Sequence, residues 1–486
     1  MARAVIVGGG VGGLAAAIRL RGLGHDVVVL ERNEVLGGKL AVRERDGFVF
    51  DLGPSLVTLP HVYDDCFATV GASLHEEVEL IRLDPQFAYH WPDGSTLVVP
   101  DDPAATEAAF EAFSPGAGSA WRDLADRGRT IWELSERTFF AGPMGSPIDM
   151  LRRMRSPMDL VRIDAGKTLA GRARTTFDDE RLWQWAGRYA TYSGSSPFAA
   201  PATLACIVHV ESHVGAWYPI GGLGSLLAAF VRVAERAGVD LRTATEVVRI
   251  ERTGDGAGQV RAVVLASGEE LPADLVVVNA DAEHLFADLL PDPKRLRRVR
   301  RAGRSTSGFV VLVGAEGTTP GLAHHNVWFG PDERVEFTTM HEDGRFAEHP
   351  TVYGCVSSVT DPSQAPDGCE NWFLLVNAPA APERTPAQYE TVVFDELARH
   401  GIDLRSRARF VETVAPGDLQ ARYRAPGGAI YGTSSNGRRA AFLRPGNRGP
   451  VRGLYLVGGS SHPGGGLPLV TTSARIVADL VQEDGW

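Results

Sequence analysis

Apolar runs separated by glycine-rich turns dominate the first thirty residues of the chain. Residues 4–7 and 26–30 are short, almost entirely apolar runs, which is the pattern of buried parallel strands. Between them, residues 14–23 carry small and apolar side chains at helical spacing, and Gly24 ends the run. The pattern therefore predicts a strand–helix–strand unit at the start of the chain.

The same reading along the rest of the chain predicts an α/β protein with an insertion. A hairpin with a Pro-Asp-Gly turn is predicted at 77–100, and helices are predicted at 103–140 and 166–215. The strands predicted further along are 241–251 paired with 259–266, a buried strand at 275–280, strands at 309–313 and 372–376, and a strand at 454–457 before a helix at 470–482. We expect a discontinuous nucleotide-binding domain (1–75, 217–290 and 420–486) and an inserted α+β substrate domain (76–216 and 291–419).

A glycine motif lies in the first strand-to-helix turn. Gly8, Gly10 and Gly13 form G-x-G-x-x-G, which allows a tight turn, a close approach of backbone to a pyrophosphate, and close packing of helix on strand. Glu31 follows Gly8 by 23 residues and ends the second strand, where its carboxylate can accept ribose hydroxyls. The succession of a strand, a helix, a second strand and an acidic residue predicts a Rossmann-type dinucleotide site.

Two further turns favour FAD over a nicotinamide cofactor. Gly37 and Gly38 follow the ribose-binding acid closely, where a turn can lie under the pyrophosphate. Asp51, Gly53 and Pro54 form a compact turn directly after another apolar strand. A nicotinamide-binding domain more often continues directly into its next strand–helix unit, whereas an additional backbone loop suits a longer cofactor.

A second glycine-rich corner lies near the C-terminus. Residues 453–469 read GLYLVGGSSHPGGGLPL, with five glycines within the nine positions 458–466. A strand and a helix hold the two ends of this turn, so the glycines indicate backbone pressed against a flat or phosphate-bearing ligand. We expect this corner to meet the N-terminal one around a single cofactor.

Composition and charge narrow the possible partners. The 486-residue chain has a formal charge of −11, so we expect no nucleic-acid binding. Cys66, Cys206, Cys355 and Cys369 are scattered without metal-binding or redox spacing, so no metal site is predicted.

The first strand begins too early for a signal peptide, and no apolar run reaches the length of a spanning helix. We expect a cytoplasmic protein, or one held peripherally at the inner face of the cell membrane.

Residues 139–163 differ in character from the rest of the chain. Four of the six methionines fall here, beside Arg152, Arg153 and Arg155, and prolines interrupt the segment. This mixture is typical of a helix in a membrane interface or of a mobile lid, and also of an ordinary pair of surface helices.

Aromatic side chains accompany the helical pattern that follows this segment. Trp183, Trp185, Tyr189 and Tyr192 suit either the core or the wall of an apolar tunnel, with the core favoured because aromatics dominate packing.

With these motifs in hand, the chain resembles the bacterial-type phytoene desaturases, which are FAD-dependent enzymes of the wider amine-oxidase-like flavoprotein group. The resemblance runs nearly end to end, through VIVGGGVGGLAAAIRL, LGGK, FDLGPS, GAWYPIGGLGSLLAAF, VVVNADAEH and FLRPGNRGPVRGLYLVGGSSHPGGGLP. The C-terminal signature usually has Thr before its His-Pro-Gly, whereas this chain has Ser461. SGSSPFAAPATL and GGAIYG are most similar to the hydroxyneurosporene-type 3,4-desaturases, which act on hydroxylated or methoxylated ends of acyclic carotenoids.

The resemblance implies a set of FAD-binding residues. Val248 should cover the adenine, and Gly53, Pro54 and Ser55 should meet the flavin ring together with the C-terminal corner. The full set is Gly8, Gly10, Val11, Gly12, Gly13, Glu31, Arg32, Gly37, Gly38, Lys39, Gly53, Pro54, Ser55, Val248, Asn279, Gly459, Ser460, Leu467, Pro468 and Val470.

The activity implied is desaturation of a C–C bond in an acyclic carotenoid, by hydride transfer to flavin N5, with oxygen or a quinone as the electron acceptor. A carboxylate near the reacting carbon could assist, and Glu211, with His209 as a second candidate, is the residue we would place there; a purely structural carboxylate is the alternative. Other flavin chemistry on the same fold (carotenoid isomerase, saturase, oxygenase, or oxidase of another apolar molecule) stays open, as does a non-enzymatic escort protein for prenyl lipids.

Overall fold

The computed structural model describes residues 1–144, 147–254, 258–437 and 443–486. Residues 145–146 of the segment 139–163, and Phe442 of the C-terminal signature, lie outside the described residues.

A five-stranded parallel sheet forms the centre of the nucleotide-binding part. Its strands come from both ends of the chain and from its middle, in the order Leu454–Leu456, Leu275–Val278, Arg3–Val7, Asp26–Leu30 and Asp240–Arg242. The three central strands are buried along nearly their whole length. Such continuous apolar runs are what a parallel sheet covered on both faces requires.

Helices cover one face of this sheet, and a small antiparallel sheet covers the other. Helix Val11–Gly22 packs against helices Leu223–Arg236 and Leu467–Glu483. The opposite face carries the antiparallel strands Val247–Arg252, Val260–Leu265 and Glu270–Pro272.

The pattern at 241–251 predicted one strand, and the structure has two in different sheets. Ala244, whose φ is +48°, breaks the run between Asp240–Arg242 and Val247–Arg252. Positive φ is uncommon for a residue with a side chain, so the hydrophobic pattern carried no signal of this break.

A seven-stranded mixed sheet forms the second layer. Its order is Ala408–Val414, Ser307–Glu316, Cys369–Ala378, Val352–Cys355, His325–Trp328, Phe87–His90 and Thr96–Val99. The pairing is antiparallel except between His325–Trp328 and Phe87–His90. The hairpin predicted at 77–100 is confirmed for its last two strands, whereas Leu80–Arg82 pairs with Trp217–Pro219. A hairpin of two further strands, Val42–Arg45 and Phe48–Asp51, forms its own small sheet and packs against the seven-stranded sheet through Phe48 and Phe50.

Helices fill the remaining layers, many of them short. They are Pro60–Ala68, Leu74–Glu77, Pro103–Phe113, Ala117–Thr138, Pro147–Arg153, Met158–Arg162, Leu169–Thr176, Glu180–Gly187, Cys206–His209, Ala282–His284, Pro293–Arg301, Glu333–His341, Glu390–Arg399 and Pro416–Tyr423. Across the described ranges, no helix combines the length and the apolar character needed to cross a bilayer. The domain boundaries proposed from the sequence stay a prediction.

Candidate cofactor and substrate site

The two glycine-rich corners meet in the folded chain. A Cβ placed on Gly12 would lie 3.3 Å from the Cα of Gly458 and 2.7 Å from Oδ1 of Asn279. The Asn279 amide also donates to the Gly8 carbonyl at 3.3 Å. This asparagine therefore lies between the N-terminal corner and the C-terminal one. The contacts that an added Cβ would make leave no room for a side chain at Gly12.

Gly13 has a packing role in this corner. A Cβ at this position would lie 2.1 Å from the Gly8 carbonyl oxygen, far inside van der Waals contact. Only glycine allows the first helix to sit this close to the end of the first strand.

The first helix begins with free backbone donors. Gly10 occupies its N-cap without any side-chain cap, and no acidic residue lies in its first turn. The N–H groups of that turn, together with the positive end of the helix dipole, suit an anionic group such as a pyrophosphate.

Glu31 is held in place for recognition of a hydroxyl group. One carboxylate oxygen accepts from the Gly9 backbone at 2.8 Å, and the other accepts from the backbone and side-chain amides of Asn33 at 2.9 and 2.8 Å. The carboxylate is buried and lines the cavity described below. Its remaining lone pairs can accept hydrogen bonds from a ligand.

The second loop also lies against the first corner. Gly37 donates its backbone N–H to the Gly9 carbonyl at 2.9 Å, and a Cβ on Gly53 would lie 1.9 Å from the carbonyl oxygen of Lys39. The Lys39 ammonium donates to the carbonyls of Ala429 and Ile430 at 3.0 and 2.8 Å. Burial lowers the pKa of Lys39 to about 8, and the nearby Asp281 carboxylate opposes this shift.

One continuous cavity of about 1230 Å³ joins these corners to the seven-stranded sheet. It opens at the carboxyl ends of the parallel strands, where nucleotides bind in open α/β sheets. Eighteen of the twenty residues expected at the cofactor line it, all except Gly13 and Val248. Val248 is 41% exposed to solvent, and its neighbour Val247 lines the cavity instead, because adjacent strand residues face opposite sides.

The rest of the cavity is largely apolar. Strands of the seven-stranded sheet line one part of it, and another part is lined by residues of helices Ala117–Thr138, Pro147–Arg153, Met158–Arg162, Glu180–Gly187 and Cys206–His209. The apolar side chains along it include Trp132, Phe139, Phe140, Leu160, Ile163, Ile207, Val210, Val310, Phe329, Phe337, Phe373 and Leu375. A hydrocarbon chain could lie in this part of the cavity shielded from water.

Glu211 and His209, the candidate catalytic groups, do not line the cavity. The Glu211 carboxylate accepts from the hydroxyl of Tyr189 at 2.8 Å and from that of Tyr192. Burial raises the pKa of Glu211, and the Arg188 charge opposes this shift. Burial lowers the pKa of His209 to about 4. The geometry therefore corrects the catalytic expectation, because neither group reaches the space where a substrate would lie.

Of the four aromatics considered for a tunnel wall, only Tyr192 lines the cavity among the described residues. Trp185 and Tyr189 are fully buried in a hydrophobic cluster, and Trp183 packs against its edge. The core interpretation is therefore confirmed for the other three.

Arg444 is a site residue that the sequence pattern did not indicate. It lines the cavity, is 6% exposed, and donates to the carbonyls of Tyr431 at 3.2 Å, Thr433 at 2.9 Å and Gly459. Burial lowers its pKa to about 10, and Asp281 opposes this shift. Arg444 thus fixes the backbone of the C-terminal corner, and only its proximity to the glycine-rich stretch could have singled it out.

A buried cluster beside the cavity also escaped the sequence analysis. The Tyr353 hydroxyl, which lines the cavity, bonds to the Ser55 hydroxyl at 2.5 Å and to Nδ1 of His325 at 2.8 Å. His324, His325 and Cys355 each carry a potential metal-ligating atom, and these atoms lie within 4.8 Å of one another. Cysteine spacing could not reveal this cluster, because it brings together two segments about thirty residues apart in the sequence.

The residues present fit FAD. Free backbone donors stand at the first helix, an oriented carboxylate ends the second strand, and glycine backbones without side chains form both walls where the corners meet. Only a ligand longer than a mononucleotide would use all three features, and the bound flavin ring would then lie beside the apolar part of the cavity.

Comparisons with known proteins agree with this geometry. The family model described as flavin-containing amine oxidoreductase matches residues 11–482. A hydroxyneurosporene desaturase of Cereibacter sphaeroides is 35% identical over 99% of this chain and 98% of its own, and a 4,4'-diapolycopene oxygenase of a Methylomonas species is 32% identical over the same shares. A solved structure of cyclohexylamine oxidase from Brevibacterium oxydans is 17% identical with a TM-score of 0.61, covering 99% of each chain, which supports the fold alone. The chain therefore belongs to the flavin-containing amine oxidoreductase family, and its cofactor is FAD.

Proposed function

We propose that this protein is an FAD-dependent carotenoid desaturase acting on an acyclic polyene, with an oxygen-bearing end group on its preferred substrate. The observation that carries this is the single cavity that joins the cofactor corners to a long apolar space. The desaturases and oxygenases among its full-length relatives support the same class of substrate. When bound, the flavin would act as the oxidant: it would accept a hydride from one substrate carbon, and the adjacent carbon would lose a proton to water as the new double bond forms.

The chain's own residues supply binding and exclusion of water. The glycine corners, Glu31 and Lys39 would hold the dinucleotide, and the aromatic and aliphatic walls would hold the polyene. Fixing the target bond beside the flavin supplies most of the rate enhancement that positioning alone can give. Electrons would leave to oxygen or a quinone.

Conversion of defined polyenes by the purified, flavin-loaded protein tests this proposal. We expect the absorption maximum of neurosporene or 1-hydroxyneurosporene to move to longer wavelength, because each added double bond extends conjugation. Oxygen uptake with and without an added quinone identifies the electron acceptor. A product that gains an oxygen atom by mass spectrometry would favour the oxygenase instead, and an unchanged spectrum with both polyenes would contradict the desaturase.

Peripheral contact with a membrane is the second part of the proposal. Two short helices of the segment 139–163 expose Ile148, Leu151, Met158 and Val161 to between 49% and 63%. Arginines of the same helices, Arg152 and Arg162, are also exposed. Other side chains of the segment, such as Leu160 and Ile163, line the cavity. The segment thus presents an apolar and basic surface outward, directly beside the cavity that would take a lipid-soluble substrate.

Replacing Met158 and Val161 together with serine is expected to weaken binding to vesicles containing phosphatidylglycerol by about tenfold or more, since each side chain loses roughly 1 kcal/mol or more of apolar burial in the bilayer. Sedimentation with vesicles measures the bound fraction. Val335, which is 60% exposed on a different helix, provides the matched control as Val335→Ser. Equal binding by all three proteins would contradict the membrane contact.

A further inference from the structure

An arginine is buried in the wall of the largely apolar part of the cavity. Arg188 follows directly on helix Glu180–Gly187, lines the cavity and is 9% exposed. Its guanidinium lies 4.5 Å from the ring centroid of Phe87, and 5.2, 5.8 and 5.3 Å from those of Tyr89, Tyr189 and Tyr192. A buried cation is expensive unless it is paired, so its place beside a hydrocarbon-lined space requires an explanation.

The surroundings of Arg188 fix its orientation. One terminal nitrogen donates to the Tyr89 hydroxyl at 2.9 Å and the other to the Tyr192 hydroxyl at 3.3 Å. Behind these rings, the buried Glu211 carboxylate accepts from Tyr189 and Tyr192 and acts as the nearby opposite charge. The four rings hold the planar guanidinium through cation–π contacts.

Arg188 lines the cavity and retains donor capacity. A guanidinium has five N–H donors and no acceptor, and the described hydrogen bonds use two of them. A ligand group that meets Arg188 must therefore be an acceptor. Because Glu211 already balances the charge, a neutral oxygen fits this position better than a carboxylate.

We propose that Arg188 donates a hydrogen bond to the hydroxyl or ether oxygen on the end group of the polyene substrate, and that Glu211 and Tyr192 are positioning residues for it. This rests on the proposed carotenoid desaturase function and adds the residue that selects the substrate. A site built to bond a hydroxyl rejects an analogue that lacks it, because the buried donor is then left unpaired.

The test compares neurosporene with 1-hydroxyneurosporene as substrates of the flavin-loaded protein. We expect the wild type to favour the hydroxylated polyene in kcat/KM by at least about tenfold. Arg188→Met should lower kcat/KM for the hydroxylated polyene about 10- to 100-fold and change that for neurosporene by less than about threefold, because a charged hydrogen bond is lost only in the first case. Quenching of tryptophan fluorescence by each polyene gives the corresponding binding constants.

Arg181→Met is the matched control. Arg181 also stacks on an aromatic ring, with its guanidinium 4.4 Å from the centroid of Phe113, but it does not line the cavity. We expect Arg181→Met to leave the preference for the hydroxylated polyene unchanged.

Tyr192→Phe keeps the ring and removes only the hydroxyl, so it should partly reduce the preference for the hydroxylated polyene. The melting temperature and flavin content of this variant report on its folding separately from its substrate preference.

The outcomes separate this inference from the function on which it rests. Two results would each overturn the role of Arg188 and leave the desaturase intact. The first is equal conversion of both polyenes by the wild type. The second is an equal loss for both polyenes in Arg188→Met, together with an unaltered preference in Tyr192→Phe. Conversion of neither polyene by the wild type would instead overturn the proposed function.

Discussion

Replacing Gly13 with alanine is expected to lower the free energy of unfolding by about 3 kcal/mol and to leave the purified protein largely without flavin. The added Cβ would lie 2.1 Å from the Gly8 carbonyl oxygen, which is backbone and cannot rotate away. The helix must then move off the strand, and the backbone donors that suit the pyrophosphate move with it. Thermal denaturation and the ratio of flavin to protein absorbance measure the two effects.

Gly417→Ala is the control for this substitution. Gly417 lies in helix Pro416–Tyr423, and the nearest atom to an added Cβ is 3.8 Å away, an ordinary contact. We expect it to keep normal flavin content and stability. If Gly13→Ala binds flavin as well as Gly417→Ala does, the close packing at the first corner is not required for the cofactor.

Replacing Arg444 with methionine is expected to have an effect of similar size on the C-terminal corner. Three carbonyls, those of Tyr431, Thr433 and Gly459, would lose their common donor in a buried place. Each unsatisfied buried acceptor costs roughly 1–3 kcal/mol, so we expect a loss of about 3 kcal/mol or more and a flavin affinity at least about tenfold weaker. Titration of the apoprotein with FAD measures the affinity.

Arg452→Met controls for the loss of an arginine near this corner. Its guanidinium stacks 4.9 Å from the ring centroid of Trp486 and has no place in the cavity wall. An FAD affinity that falls equally in both variants would show that Arg444 has no special role in holding the corner.

Much of the cofactor site could be predicted from the sequence because its determinants are local. Gly8 takes a φ of +103° in the turn between the first strand and the first helix, and Gly13 must pass the Gly8 carbonyl in the same turn, so both glycines are required by adjacent elements. Glu31 reaches its place simply by ending the second strand. The alternation of side chains along a strand was a less reliable guide to the cofactor site. Val247 and Val248 are adjacent and face opposite sides, and the register of the strand decides which of them faces the cavity.

The substrate end of the site depended on contacts that are distant in the sequence. Arg188 acquires one of its two partner hydroxyls from Tyr89, on strand Phe87–His90, and its opposite charge from Glu211. Glu211 is the carboxylate expected near the reacting carbon, yet the hydroxyls of Tyr189 and Tyr192 enclose it behind the cavity wall. Nothing in the local pattern of either segment encodes these contacts.

The sequence by itself determined that this chain builds a dinucleotide site from two glycine-rich corners, because the strands, turns and helix ends that form them each follow from short runs of residues. The tertiary structure alone decided which side chains line the cavity beside that site, because Arg188, Arg444 and Tyr353 reach it from separate parts of the chain. Those elements come together because folding buries their apolar faces against one another, and that arrangement depends on the whole chain.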